Sequence, residues 1–532
     1  MSTSAKSEHS DSGNSTSVAR ARDAWFAGDD RGTLAILADD APQRSRADRV
    51  EAGFLGARAH LRSGDGEAAL AALKAIEREL DEGDERLLHR VLAGAATYRS
   101  GSVEKGLGML REAATGPDDD GHEPVRSEAA YELARALWSE RNLDEAERVL
   151  DDAVDEATDV IHARILALIG EIEVTRERYP IAARHFSDAL GALKRATHAD
   201  AALHASLLRS LTTIARETLD LRLARRLRRD VDAMAWTQPL ASARFHVTEN
   251  LAWIAMLEGD LTEAWRLFDE NLVAAPDDMF GVRARAGLSA LLRIAGDRFG
   301  PSRNLERLRA LMNRATWDSA DNEGRMILLE AAMEATRLQA HDPKGARGYL
   351  ETASDALAHY SRTTKRSASV AQEDRRLEAV AVHTEGLLVA ARNDLRTATH
   401  QLERASRLWR DLGYRMREAQ AALDLFTTTS DERHLDAAES ATRMIPDSWL
   451  RRDLDALRHG AANRARHLTP AERRVMFAIC EGKTSKQIAE EFGRSENTIR
   501  NQTKRVFSTM HVNTRASLVA ECARVGLLPK NV

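Results

Sequence analysis

Four side chains near the end of the chain have the types and spacing to read the base edges of a duplex: Asn497, Arg500, Asn501 and Lys504. An arginine can hold guanine N7 and O6 in a fork, an asparagine can do the same for adenine, and a lysine is a flexible donor. At 3.6 residues per turn these four share one side of a helix, while Ile499, Val506 and Met510 form a stripe on the other. Thr484, Lys486, Gln502, Arg505 and Arg515 lie near expected helix N-termini or flank that side. They suit phosphate oxygens, which position a protein on a duplex without specifying sequence.

The elements that would position these groups are marked by dense capping signals. Thr469-Pro470-Ala471-Glu472 is a capping box with Thr as N-cap, Pro at N1 and Glu at N3. A first helix should run to about Glu481 and stop at Gly482. Ser485 is placed to cap a short second helix carrying Ile488, Ala489 and Phe492 and closed by Gly493. Ser495 should cap a third helix from Glu496 to about Met510, and Asn513 or Thr514 a fourth that ends at Gly526. A short helix, a tight Gly-containing turn and a longer helix make a helix-turn-helix layout. Charge shifts in the same place. Residues 467–532 hold 11 Lys and Arg against 6 Asp and Glu, so they carry +5 of a chain whose net charge is -6, and the rest carries -11. A basic end on an acidic body points to a polyanion partner for that end.

The preceding chain reads as all-α. Of 532 residues, 30% are charged, only 5% are aromatic and only 11 are proline, a mix that favours helices over sandwiches or barrels. Residues 1–16 are Ser-rich with little to bury and are expected to be a disordered tail. From 17 to 458 one amphipathic helical pattern follows another. A motif returns in which a polar turn precedes an apolar residue, then Ala or Gly, then a bulky apolar residue. It occurs at Gly64-Asp65, Gly101-Ser102, Arg141-Asn142, Arg178-Tyr179, Gly259-Asp260 and Asn393-Asp394. Gly64 and Gly101 are 37 residues apart, a period that implies stacked helix pairs in an α-solenoid, since neither helix of a pair can bury its apolar stripe alone. Residues 459–467, small and polar, read as a linker to a domain at 468–532.

Two resemblances attach to these patterns. Tyr131 to Ala153 and Ala252 to Phe268, with landmarks at Trp138, Ala146 and Pro276, resemble tetratricopeptide (TPR) repeats at a longer spacing, hence a TPR-like array. The C-terminal stretch resembles the LuxR/GerE-type helix-turn-helix through Leu468-Thr469, Glu472, Val475, Gly482, Ile488-Ala489, Ser495, Thr498-Ile499, Val512, Arg515 and Ala523. Arg404 to Leu425 resembles the last repeat before the DNA-binding domain of large LuxR-type regulators. That resemblance implies a four-helix domain that binds double-stranded DNA in a transcription regulator. It implies base reading by Arg500, Asn501 and Lys504, a backbone contact at Thr514-Arg515, and homodimers paired through the last helix, Arg515 to Val525. The chain departs from the family pattern at Ala471, Arg500 and Gln502, where Arg, Lys and His are usual. Arg500 keeps the charge and changes its geometry.

Other features read more plainly. Gly482-Lys483-Thr484 resembles the end of a phosphate loop, but the position five residues before Gly482 is Phe477 and no strand precedes it, so no nucleotide site is expected. Arg222, Arg225, Arg226, Arg228 and Arg229 form an arginine-rich patch, read as a solvated face with a partner or nucleic-acid surface as the alternative. Most of the eight Trp should be repeat core, and Cys480 and Cys522 buried structural thiols. No metal spacing, cofactor motif, membrane span or nucleophile–base constellation is legible. The expectation is therefore a cytoplasmic, non-enzymatic regulator whose repeats sense a ligand or dock a protein partner. The alternative is a scaffold whose helix-turn-helix serves assembly.

Overall fold

The structure, a computed structural model, describes residues 17–39, 44–115, 123–274, 279–294, 322–338, 346–367, 375–429, 431–457 except 444, 447, 452 and 456, then 468–510, 512 and 514–524. Among these residues there are helices and turns and no strand. The expected tail and linker, Pro276, Trp317, Asn513, Val525 and Gly526 lie outside the described residues.

The chain divides into two compact units. The first, residues 1–251, holds α1 (Ser17–Phe26), α2 (Asp30–Asp39), α3 (Arg46–Arg62), α4 (Gly66–Ile76), α5 (Asp84–Arg99), α6 (Val103–Ala114), α7 (Glu123–Ser139), α8 (Leu143–Val154), α9 (Asp159–Thr175), α10 (Tyr179–Arg195), α11 (Ala201–Thr218), α12 (Leu221–Ala233) and the start of α13 (Ala241–Glu258). Through α12 each odd helix pairs with the next, and α3, α5, α7 and α9 also pack in succession, so pair stacks on pair. The second unit, residues 252–532, continues with α14 (Leu261–Ala274), α15 (Met279–Ile294), α16 (Asn322–Leu338), α17 (Ala346–Ser367), α18 (Arg375–Ala391), α19 (Leu395–Asp411), α20 (Arg415–Thr429) and α21 (Glu432–Thr442). Here α16, α18 and α20 stack in the same way. This is a TPR-like array of helix hairpins.

One joint closes hairpin after hairpin. Gly64, Gly101, Arg141, Glu177, Leu219, Gly259 and Asn393 have left-handed backbone, with φ between 61° and 96°. At each, the following N–H reaches back five residues to a helix carbonyl, as from Ser102 to Thr97, Asn142 to Leu137 and Asp394 to Val389. That is the Schellman bond. The residue after the joint often caps the next helix: Asp65, Asp220 and Asp394 accept from the N–H three positions on. Five residues after each joint stands a small buried residue: Ala69, Gly106, Ala146, Ala182, Ala224, Ala264 and Ala398. Four further on lie Leu73, Leu110, Leu150, Phe186, Phe268 and Leu402, also buried. The close approach is real: a Cβ on Gly106 would stand 2.5 Å from the Tyr98 backbone nitrogen. The sequence placed one joint at Arg178-Tyr179; the left-handed residue there is Glu177.

The repeats also bury paired charge. In the first unit Arg58 meets Glu128 at 2.7 Å and Arg164 meets Asp200 at 2.8 Å. In the second, Asp424 accepts from Arg337 Nη2 at 2.8 Å and from His383 Nε2 at 2.9 Å, while Trp409 Nε1 donates to His383 Nδ1 at 3.3 Å. Burial pushes the His383 imidazole below its ordinary value. Burial would raise Asp424, but Arg337 and His383 outweigh it and hold the carboxyl well below the usual range. Trp25, Trp253, Trp409 and Trp449 are core as expected, Trp138 and Trp236 are half-buried, and Trp265 is 45% exposed.

Candidate nucleic-acid interface

The second unit ends in four short helices: α22 (Pro470–Cys480), α23 (Ser485–Phe492), α24 (Glu496–Met510) and α25 (Arg515–Arg524). Thr469 closes the expected capping box: its hydroxyl accepts from the Glu472 N–H, and Glu472 Oε2 accepts from the Thr469 N–H at 2.9 Å. Those bonds hold the Glu472 carboxyl below its ordinary range. Gly482 ends α22 with φ 81° and Gly493 ends α23 with φ 60°, the same left-handed joint as in the repeats. The cap of α23 is Thr484, not Ser485. Thr484 forms a second capping box with Gln487, whose Oε1 accepts from the Thr484 N–H at 2.8 Å. Thr514 caps α25, accepting from the Ser517 N–H at 3.0 Å.

Helix α24 packs on both α22 and α23, and α25 packs on α22. Their shared core holds Val475, Met476, Ile479, Ile488, Ile499, Val506, Met510, Leu518 and Cys522. Ile499, Val506 and Met510 are 0% exposed, so the stripe inferred from spacing is the buried one. The opposite side carries Asn497, Arg500, Asn501 and Lys504, all exposed, together with exposed Ser508, which the sequence reading had not singled out. Its signal was available, since Ser508 lies four residues after Lys504 on the same side.

Arg500 Nη2 meets Glu496 Oε1 at 2.8 Å, one turn back. This holds the guanidinium over the N-terminal half of α24, where a recognition helix contacts base edges. Lys486 is exposed at the start of α23 and Gln502 is half-buried on α24. Arg505 is exposed, with Nη1 3.6 Å from Glu472 Oε1. Arg515 is more deeply engaged: its Nη1 donates to the Lys483 carbonyl at 2.5 Å and its Nη2 to Ser485 Oγ at 3.4 Å. It therefore ties the start of α25 to the turn between α22 and α23, a contact 30 and 32 residues away in sequence that local pattern could not reveal. Lys483 Nζ lies 2.7 Å from Glu481 and 2.8 Å from Glu491, which hold its ammonium above the ordinary value, so this lysine is committed within the turn. Arg474 covers the Phe492 ring at 4.4 Å and joins α22 to α23. Cys480 and Cys522 are both buried free thiols.

Residues 466–521 match the family model of bacterial regulatory proteins, luxR family. The C-terminal module is a LuxR-type helix-turn-helix domain. Modules of this type mark DNA-binding regulators, and here the module follows an array of helix hairpins among the described residues. No curated protein matches the chain. Among solved structures, a Rap protein complexed with competence and sporulation factor is similar at 12% identity and a TM-score of 0.43, over 77% of this chain and 99% of that one. The apo quorum sensor NprR from B. thuringiensis is similar at 13% identity and a TM-score of 0.42, over 68% of this chain and 97% of that one. Among the described residues, no cluster of His, Cys, Asp and Glu could hold a metal ion, and no helix is long and apolar enough to cross a membrane.

Proposed function

We propose that the protein is a sequence-specific transcription regulator that reads double-stranded DNA with α24, and that its repeats receive a ligand or protein partner. The observation that carries this reading is the sidedness of α24: an apolar stripe wholly in the core and four amide and cationic side chains in solvent on the other face. Asn497, Arg500, Asn501 and Lys504 read base edges. Thr484, Lys486, Gln502, Arg505 and Thr514 hold phosphates, and Arg515 serves the backbone through the turn that it braces. The protein acts as a homodimer through α25, so that two reading helices meet two half-sites. The boundary near 459–467 separates a signal-receiving part from a DNA-reading part, and binding to the repeats shifts the population of DNA-competent module.

Genome-wide capture of DNA with the intact protein, followed by salt-resolved binding curves on a recovered site and a scrambled duplex, tests the reading. A shared sequence among captured fragments and tighter binding to it are expected. Equal binding to site and scramble would sink sequence reading, and no salt-sensitive binding to either would favour the scaffold role.

A further inference from the structure

Helix α12 breaks the pattern of its neighbours. The position nine residues after the hairpin joint is a buried Leu or Phe in α4, α6, α8, α10, α14 and α19, but after Leu219 it is Arg228. The core side of α12 is made by Leu223, Ala224 and Leu227 alone. Within eight residues the helix carries Arg222, Arg225, Arg226, Arg228 and Arg229. Both of its acids are engaged: Asp230 by Lys194 of α10, and Asp232 by Arg228 at 3.3 Å. Arg222, Arg226 and Arg229 are exposed and fall at i, i+4 and i+7, on one stripe. Some arginines elsewhere in the repeats face carboxylates, as Arg46 does Asp81 and Glu85, and Arg266 does Glu263 and Glu270. A row of three guanidinium groups held out from a body of net charge -11 is a cationic surface in an acidic setting.

We propose that the Arg222–Arg226–Arg229 stripe is a second DNA-backbone contact, which holds duplex phosphates outside the sequence read by α24. The dimensions fit. At a rise of 1.5 Å per residue the stripe is about 10.5 Å long, and one DNA strand carries a phosphate about every 3.4 Å of axis. Guanidinium groups suit this partner because they take phosphate oxygens in pairs. The stripe contributes affinity and salt dependence and no sequence preference. The inference rests on the reading of this chain as a DNA binder, and the two separate experimentally.

The test uses the full-length chain on two duplexes, one holding only the selected site and one with the same site inside long flanks. Wild type should show the steeper dependence of log affinity on log salt with the long duplex. The triple variant Arg222→Gln, Arg226→Gln, Arg229→Gln should lose about 2.7 of that slope, roughly 0.9 per phosphate contact. Its binding to the short duplex and its site preference should stay as in wild type. The corresponding Arg→Lys triple should keep the slope. A Gln triple that matches wild type on the long duplex overturns the proposal, and this is the outcome if the stripe meets an acidic protein instead. A Lys triple that fails as the Gln triple does also overturns it, because the effect would then be one of folding and not of charge. Arg500→Ala is the independent control. It should relax site preference at one base pair on both duplexes and leave the long-minus-short slope difference intact. If Arg500→Ala keeps the preference while the slope difference persists, the base-reading assignment fails and the stripe stands.

Discussion

On α16 the guanidinium of Arg337 is nearly buried and reaches Asp424, 87 residues further along the chain; on α24 that of Arg500 stays in solvent and reaches Glu496, four residues back. The first contact joins α16 to α20 and fixes how two hairpins stack. The second joins nothing beyond its own helix. It sets the direction of one side chain and leaves its charge open to an outside partner. Burying an ion pair costs desolvation, so Arg337 and Asp424 have value chiefly as a matched set. An exposed pair on one helix is worth a few tenths of a kcal/mol and is easily exchanged for a phosphate or a base edge. Arg337 thus specifies packing, and Arg500 stays available for recognition.

The largest effect expected from this contrast is at Asp424. Asp424→Ala leaves buried Arg337 with only Glu334, 3.6 Å away, and His383 without its acceptor, and should destabilise the second unit by about 3–5 kcal/mol in denaturant unfolding. DNA affinity of the folded fraction should not change. A cost below about 1 kcal/mol would place Asp424 among ordinary surface pairs. Next comes the exposed member. Arg500→Ala should cost about 1–3 kcal/mol in binding to the selected site and relax preference at one base pair, with folding unaffected. Lys486→Ala should weaken all duplexes alike and lower the salt slope by roughly 1. Equal weakening of site and scramble by Arg500→Ala would move that residue to the phosphate contacts.

A smaller effect is expected from His383. Its Nδ1 accepts from the Trp409 indole and its Nε2–H faces Asp424, so a second ring proton would point N–H at N–H. The folded pKa lies below the unfolded value, so the unfolded chain takes the proton first. Stability is therefore complete above the ordinary histidine value of about 6.5 and declines as pH falls below it, by at most about 1.4 kcal/mol per pH unit. Melting curves between mildly acidic and neutral pH should show this slope, and His383→Gln should flatten it. The smallest effect is at a joint. Arg141 is exposed in left-handed backbone, so Arg141→Gly should stabilise the first unit by about 0.5–1 kcal/mol. Destabilisation on that change would give the Arg141 side chain a role that its position does not indicate.

Much of the module was legible because its signals are local. The bounds Glu496–Met510, the Thr469–Glu472 box and the stops at Gly482 and Gly493 all follow from residues within four positions of one another. The miss at α23 was local too. Thr484 and Ser485 are both good caps, and what decides between them is Gln487, three residues after Thr484, which completes a capping box. The rest was hidden by distance. Nothing near Arg515 announces the Lys483 carbonyl, and nothing near His383 announces Asp424, 41 residues on. Such partners are brought together only by the stacking of helices. The repeat motif was legible because the same small and bulky positions recur. The arginines of α12 were visible as composition, while their division into engaged and outward members required the fold.

The shared joint has a consequence for the length of the molecule. From Gly64 to Gly101, or from Arg141 to Glu177, the chain leaves one left-handed residue and arrives at another with the same backward bond. A segment cut between two such points begins and ends on matching ends, like a link removed from a chain of identical clasps. Deleting or duplicating one link asks for no new turn, only for a neighbour whose buried small residue accepts the next helix. The count of hairpins is therefore a quantity that heredity can adjust in whole steps, while a partial step would set a helix face against the wrong row.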